Sequence, residues 1–296
     1  MKVIITGASG VLGTAIREAF KKKPDIECLA LSNTRTGDGL VPLDLMNKAE
    51  VDRVFNEFKP DWVIHCAAER RPDVAEKDPE ATRRLNAEAP AHLASLSKGL
   101  NFTLVYISTD YVFDGTSPPY TPSSKTNPVQ LYGQTKRDGE EAVLGFDGAK
   151  VIVLRVPVLY GPAPNNSDSA VNILLDVVQD QSGKQYKMDH YATRYPTNVI
   201  DIANFLTRLT DVKKPIPPIL HYSGAEPFTK HEMCLIYAKI LGLPHSHVIP
   251  DAEPPKGSGA TTRPRDCQLY TKETEDVIGD LGLSLFEEWW TEYLKR

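Results

Sequence analysis

Short runs of β-branched and aliphatic residues alternate with amphipathic stretches through the first half of the chain, and this rhythm most narrows the folds open to it. Val3 to Thr6, Ile26 to Leu31, Val41 to Leu45, Trp62 to Cys66, Phe102 to Ile107 and Val151 to Val156 read as strands. Between them apolar residues recur at helical spacing, as in Ala15, Ile16, Ala19 and Phe20, or in Leu85, Ala89, Leu93 and Leu96. Such alternation means βαβ units, and the strands are apolar on both faces, as doubly covered strands must be. The expected class is α/β: a Rossmann-type, doubly wound parallel sheet with a small C-terminal lobe. After Gly161 the rhythm loosens and prolines cluster, at Pro215, Pro217 and Pro218 and again at Pro250, Pro254 and Pro255. The expected division is a sheet domain over 1–160, with 190–222 returning to it, and a lobe built from 161–189 and 223–296.

Composition closes off several alternatives. Of 296 residues 41% are hydrophobic and 25% charged, which are globular values. A net charge of -5 carries no footprint for nucleic acid. Cys28, Cys66, Cys234 and Cys267 are scattered, which argues against a disulfide framework or a zinc set and for a reducing compartment. The pair His245 and His247 lacks a third ligand nearby and reads as a solvated turn, while His65 on an apolar strand reads as core; no metal is expected. No run approaches the ~18 apolar residues of a membrane span, and structural sequence from Lys2 leaves no room for a leader. The expected location is the cytosol.

The first strand runs straight into Gly7-Ala8-Ser9-Gly10-Val11-Leu12-Gly13 and then a helix. In this setting Gly7 makes the tight exit, Gly10 lets backbone approach a pyrophosphate, and Gly13 permits close helix packing. The helix N-terminus offers unpaired N–H groups and partial positive charge to phosphates. Cofactor choice falls to the end of the second strand, where Ser32, Asn33 and Arg35 stand in place of a carboxylate. A guanidinium pairs a 2′-phosphate, so NADP(H) is expected over NAD(H); otherwise Arg35 is a solvated loop residue. Asp44 either meets the adenine edge or caps the next helix. Leu45, Cys66, Ala67, Ala68, Tyr132, Lys136 and Arg155 complete the expected cofactor set.

Tyr132 and Lys136, four apart, share one face of a helix. A phenol ionises near ~10, so a neighbouring ammonium and an oxidised nicotinamide would need to supply roughly 4 kcal/mol to bring it to ~7. The fifth strand ends in Ser108-Thr109-Asp110-Tyr111-Val112-Phe113-Asp114-Gly115, a hydroxyl-rich exit at the edge where open α/β sheets bind ligands.

With the glycine triplet, this exit and the Tyr-x-x-x-Lys pair resemble the extended short-chain dehydrogenase/reductase family. Residues 108 to 115 are similar to its branch of dTDP-4-dehydrorhamnose reductases, which also contains the regulatory β subunits of methionine adenosyltransferase. The resemblance runs from residue 2 to about residue 290. It implies that Thr109, Tyr132 and Lys136 are the catalytic triad, with Tyr132 the proton donor, Lys136 tuning it and Thr109 holding a carbonyl oxygen. Two segments, His65 to Val74 with Glu69, Arg70 and Arg71, and Met188 to Thr197 with Arg194, are similar to the regulatory pattern; sugar reductases commonly have glycine at the position of Arg194. Arg263 and Arg265 fit both patterns, as a diphosphate clamp or a helix-end contact. Asn86 joins Glu69, Arg70, Arg71, Arg194, Arg263 and Arg265 as a candidate for substrate or partner contact.

The resemblance implies two functions. One is a regulatory protein that holds NADP(H) and modulates S-adenosylmethionine synthesis by a catalytic partner subunit; the other is an NADPH-dependent reductase of a 4-keto-6-deoxy sugar nucleotide. The segments at 69–73 and 189–197 weigh toward the first. The animal regulatory subunits continue past the equivalent of Trp289 to Arg296 into a tail that helps docking. Trp289 and Trp290 read as packing for a terminal helix or as a partner surface.

Overall fold

The computed structural model describes residues 1–254 and 263–295; Pro255 of the last proline cluster and the terminal Arg296 lie outside the described residues. The chain runs through β1 (Lys2–Thr6), α1 (Val11–Lys21), β2 (Glu27–Ser32), β3 (Leu40–Pro42), α2 (Lys48–Phe58) and β4 (Trp62–His65). Two short helices follow, α3 (Pro72–Ala75) and α4 (Pro79–Arg83), and then a π-helical stretch at Arg84–Glu88 that feeds α5 (Ala89–Leu100). Next come β5 (Thr103–Thr109), α6 (Leu131–Leu144) and β6 (Lys150–Val156). The remainder holds β7 (Leu159–Tyr160), α7 (Ile173–Gln179), β8 (Tyr186–Asp189), β9 (Thr197–Asn198), α8 (Val199–Leu209), β10 (Ile219–His221), α9 (Lys230–Leu241), β11 (Val248–Asp251), α10 (Lys272–Ile278) and α11 (Phe286–Leu294).

Seven strands form one sheet in the order β10-β6-β5-β4-β1-β2-β3. Every ladder in it is parallel. This is the doubly wound order, and its direction reverses between β1 and β4. Alternate residues of each strand feed different cores: Ile5 and Val105 pack with Ile16, Phe20, Phe205 and Leu206, while Ile4 and Leu104 pack with Val51, Phe55, Leu93 and Phe102. Thus α1 and α8 cover one face, and α2 and α5 the other. The third strand is shorter than its apolar run suggests. Leu43 N–H still donates to the Ser32 carbonyl at 2.7 Å; beyond it the Asp44 carboxylate accepts from Met46 N–H at 2.9 Å, and Asn47 caps α2.

A third apolar cluster gathers Tyr160, Leu174, Met233, Tyr237, Phe286 and Trp290 from β7, α7, α9 and α11. Trp290 is fully buried and stacks with Tyr160 at 5.8 Å. His247 is not the solvated residue expected: it is buried, with Nε2 bonded to the Val177 carbonyl at 2.8 Å, and ties the β11 approach to α7. Among the described residues no helix is long and apolar enough to cross a membrane.

Candidate functional site

A cavity of about 810 Å³ opens at the carboxyl ends of β1, β2, β4, β5 and β6, over the point where strand order reverses. Its floor is the loop from β1 to α1. Gly7 sits at φ +64°, and a Cβ there would stand 2.7 Å from Ala67 N. A Cβ on Gly13 would come within 2.2 Å of the Gly7 carbonyl, so α1 lies as close to the strand as bare backbone permits. Gly10 is the N-cap of α1, with no side-chain cap and no acidic residue in the first turn. The helix end is therefore a positive, uncapped terminus facing the cavity, which suits a diphosphate.

Ser9, Val11 and Leu12 line the cavity with these glycines, as do Ser32, Asn33, Asp44 and Leu45 at one end and Cys66, Ala67 and Ala68 behind. Arg35 lies outside the lining; its Nη1 donates to the Ser9 carbonyl at 3.0 Å, which hangs the guanidinium beside the glycine loop. Arg155 does not reach the cavity. It is buried on β6 and clamped by Glu140, with Nε to Oε1 at 2.9 Å and Nη2 to Oε2 at 2.6 Å, and Ser108 donates to the same carboxylate at 2.5 Å. The sequence shows a cation in a strand; the partner on α6 that consumes it is visible only in the fold.

Thr109, at the end of β5, and Tyr132 and Lys136, on successive turns of α6, all line the far wall. Lys136 Nζ lies over the Tyr106 ring at 3.8 Å, and burial pushes its ammonium down to about 7, opposed by Glu140 and Cys66. Burial dominates Tyr132 as well, raising its phenol above the usual range, while the Thr109 hydroxyl and the Arg70 guanidinium pull the other way. Among the chain's own groups burial therefore outweighs the rest and favours the phenol, which can give a proton. His65 is the core residue expected, buried, with Thr6 Oγ1 2.7 Å from Nδ1.

The candidate contact residues separate. Arg70, Arg194 and Arg263 line the cavity. Arg70 also donates to the Asp168 carbonyl, and Arg194, buried, holds Asp189 at 2.7 Å and the Ala192 carbonyl at 2.7 Å. Glu69 and Arg71 stand outside the lining and pair with each other at 2.8 Å. Asn86 is buried in the π-helical stretch, where its amide bonds the Glu69 backbone at 2.9 and 3.0 Å and Thr135 at 3.1 Å. It braces the Glu69 turn against α6 and does not face the cavity. Arg265 lies over the Tyr191 ring at 5.2 Å, away from the lining. Sequence reasoning passed over Arg84 and Lys230, which do line it. Lys230 is pushed down to about 8 by burial and by Arg194 and Arg263; the only local sign of its placement is the capping box of Thr229 and Glu232 that starts α9.

A parallel sheet of this order, with an uncapped glycine cradle at its switch point and a tyrosine–lysine pair on the next wall, defines a dinucleotide-fold protein of the short-chain dehydrogenase/reductase type. More narrowly, the chain belongs to the RmlD substrate binding domain family, whose model matches residues 1–295. It is 43% identical over 279 residues to a methionine adenosyltransferase 2 subunit beta of Xenopus tropicalis, covering 93% of this chain and 82% of that protein. A dTDP-4-dehydrorhamnose reductase from Clostridium acetobutylicum superposes with a TM-score of 0.86 at 28% identity, over 100% of this chain and 99% of the other. The dTDP-4-dehydrorhamnose reductase of Bacillus anthracis, solved in complex with NADP, gives 0.84 at 25% identity, over 100% and 98%.

Proposed function

We propose that this chain is an NADP(H)-binding regulatory subunit of the methionine adenosyltransferase β type, which docks on a catalytic partner and modulates its synthesis of S-adenosylmethionine. The observation that carries the reading is 43% identity to such a subunit over nearly the whole chain. Arg194 adds to it: a buried guanidinium lines the cavity at a position where, by the resemblance, sugar reductases commonly have glycine. A pull-down with the catalytic synthetase of the same cell is the test. A complex at micromolar concentration is expected, and its absence there sinks the reading.

The dinucleotide would lie on Gly7, Gly10 and Gly13, with its diphosphate at the start of α1 and its ribose near Ser32 and Asn33. The residues fit the group: an uncapped helix end faces the cavity, and β2 ends without a carboxylate to repel a 2′-phosphate. Arg35, whose guanidinium lies beside the Ser9 carbonyl, supports the reading of NADP(H) over NAD(H). Calorimetry on Arg35→Ala is expected to show NADPH weakened about tenfold, a loss of ~1.4 kcal/mol, with NADH little changed. Equal losses for both would assign the loop no part in the choice.

A second reading, an NADPH-dependent reductase of a 4-keto-6-deoxy sugar nucleotide, is favoured by the meeting of Thr109, Tyr132 and Lys136 on one wall. Bound reduced nicotinamide supplies a hydride. The chain's own part would be to seat the carbonyl oxygen beside Thr109 and Tyr132 and to deliver a proton from Tyr132. NADPH oxidation with such a substrate, lost in Tyr132→Phe, would support this reading; no oxidation across a panel of 4-keto sugar nucleotides would exclude it.

A further inference from the structure

The Thr109 hydroxyl has one proton and two acceptor positions. Its Oγ1 donates to Asp110 Oδ1 at 3.0 Å and accepts from Tyr111 N–H at 3.2 Å. Tyr132 lines the same wall and its phenol is pulled down by the Thr109 hydroxyl; while Asp110 is ionised, Thr109 has only an acceptor left to offer it. If Asp110 is protonated, its carboxyl donates to Thr109 instead, and the Thr109 proton is released toward the phenol oxygen. Asp110 is buried yet lines the cavity, at the first residue after β5.

We propose that Asp110 is a positioning residue that sets the direction of the Thr109 hydroxyl and, through it, the acidity of Tyr132. The inference rests on the reading of Tyr132 as a proton donor and deepens it. Protonated Asp110 readies the phenol to release its proton into the cavity, because Thr109 then donates to the phenolate that remains. Ionised Asp110 holds the proton back twice over, by taking the Thr109 donor and by placing negative charge nearby. In a full transfer the Tyr132 O–H bond breaks and its proton goes to a ligand carbonyl oxygen. Thr109 then passes its proton to Tyr132 and is refilled from Asp110, which ends as a carboxylate. The hydride that completes the reduction of such a carbonyl comes from a reduced nicotinamide.

The groups around Asp110 make both forms accessible near neutrality. Burial pushes its carboxyl up to about 7, against the pull of Thr109, the Arg194 guanidinium and local backbone amides. Its charge in turn raises Tyr111, Tyr132 and Cys267 and helps keep Arg194 protonated.

The test needs no turnover. The full chain is labelled with carboxyl-13C aspartate and ring-13Cζ tyrosine and titrated by NMR; Asp110→Asn and Tyr132→Phe identify the two signals. One aspartate is expected to titrate near pH 7, with the Tyr132 signal moving at the same midpoint. In Thr109→Val the aspartate still titrates, at a higher midpoint, and the Tyr132 response shrinks several-fold. That midpoint shift also identifies the Asp110 signal if Asp110→Asn does not fold. No aspartate titrating between about pH 5.5 and 8.5, an unmoved Tyr132 signal, or a full response in Thr109→Val would each overturn the proposal. Where NADPH oxidation with a 4-keto sugar nucleotide is observed, Asp110→Asn, whose amide always donates, should flatten the alkaline decline of kcat. Lack of turnover counts against the reductase reading alone, since the NMR arms decide the role of Asp110.

Discussion

At the scale of single residues, the glycine loop shows two different uses of a missing side chain. Gly13 has no space for a Cβ, which would press to 2.2 Å on the Gly7 carbonyl, whereas a Cβ on Gly10 would meet only that carbonyl, at 3.3 Å. Gly13→Ala is therefore expected to destabilise the fold itself, by ~2 kcal/mol or more as an overpacked contact with unyielding backbone. Gly10→Ala is expected to change the melting temperature little while weakening dinucleotide binding at least tenfold, because the methyl occupies the phosphate approach. Thermal melts with calorimetry on both variants separate the two uses; parallel behaviour would mean that the loop is only a turn. These glycines were legible in the sequence because strand, turn and helix are contiguous there. The fate of Arg155 was not, since its partner Glu140 lies on another element and no local pattern links the two.

At the scale of elements, that buried pair fastens the site wall. Glu140 on α6 accepts from Arg155 on β6 and Ser108 on β5, and Arg155 Nη1 also lies 3.3 Å from His221 Nε2 on β10. Three strands and the helix carrying Tyr132 and Lys136 are thus joined through one ion pair. Glu140→Gln leaves an uncompensated guanidinium in a dry place, and such a loss costs about 3–5 kcal/mol. Denaturant melts should show that drop, while Glu140→Gln combined with Arg155→Met should lose less than Glu140→Gln alone. If the double variant is the weaker one, the charge pair does not govern the joint. Element types were readable from periodicity, whereas the ends were set by chemistry met on arrival. The turn held by Asp44 follows β3, and the π-helical stretch at Arg84–Glu88 replaces the start of the helix expected there.

At the scale of the whole molecule, burial writes an acid sensitivity into the fold. His65 and His221 are pushed down to about 3, chiefly by burial, so both are neutral in the folded chain at pH 6 and titrate near ~6.5 once unfolded. The unfolded state thus binds more protons below pH ~6.5, and stability falls as pH drops from there toward 3, by about 1.4 kcal/mol per unit for each histidine. Asp110 works in the opposite sense. Its folded value of about 7 lies above the ordinary carboxylate range, so its contribution is present at low pH and is lost as pH rises toward 7. Between about pH 4.5 and 6 Asp110 offsets one of the two histidine protons, so Asp110→Asn should steepen the slope of stability against pH by about 1.4 kcal/mol per unit. Urea melts at pH 5 and 6 check this, and an unchanged slope would remove Asp110 from the balance.

The sequence by itself determined the sheet, the cradle and the tyrosine–lysine spacing, because each is written in neighbouring residues and in the period of one element. Only the tertiary structure decided which cations face the cavity. Arg70, Arg194, Lys230 and Arg263 reach it, and Arg155 and Arg265 do not. The physical reason is that a charged side chain takes the best partner within reach, and that reach is set by packing between elements far apart in the chain. The burial of Tyr132 was decided there too: its spacing from Lys136 is local, whereas the desolvation that raises its phenol comes from packing between elements.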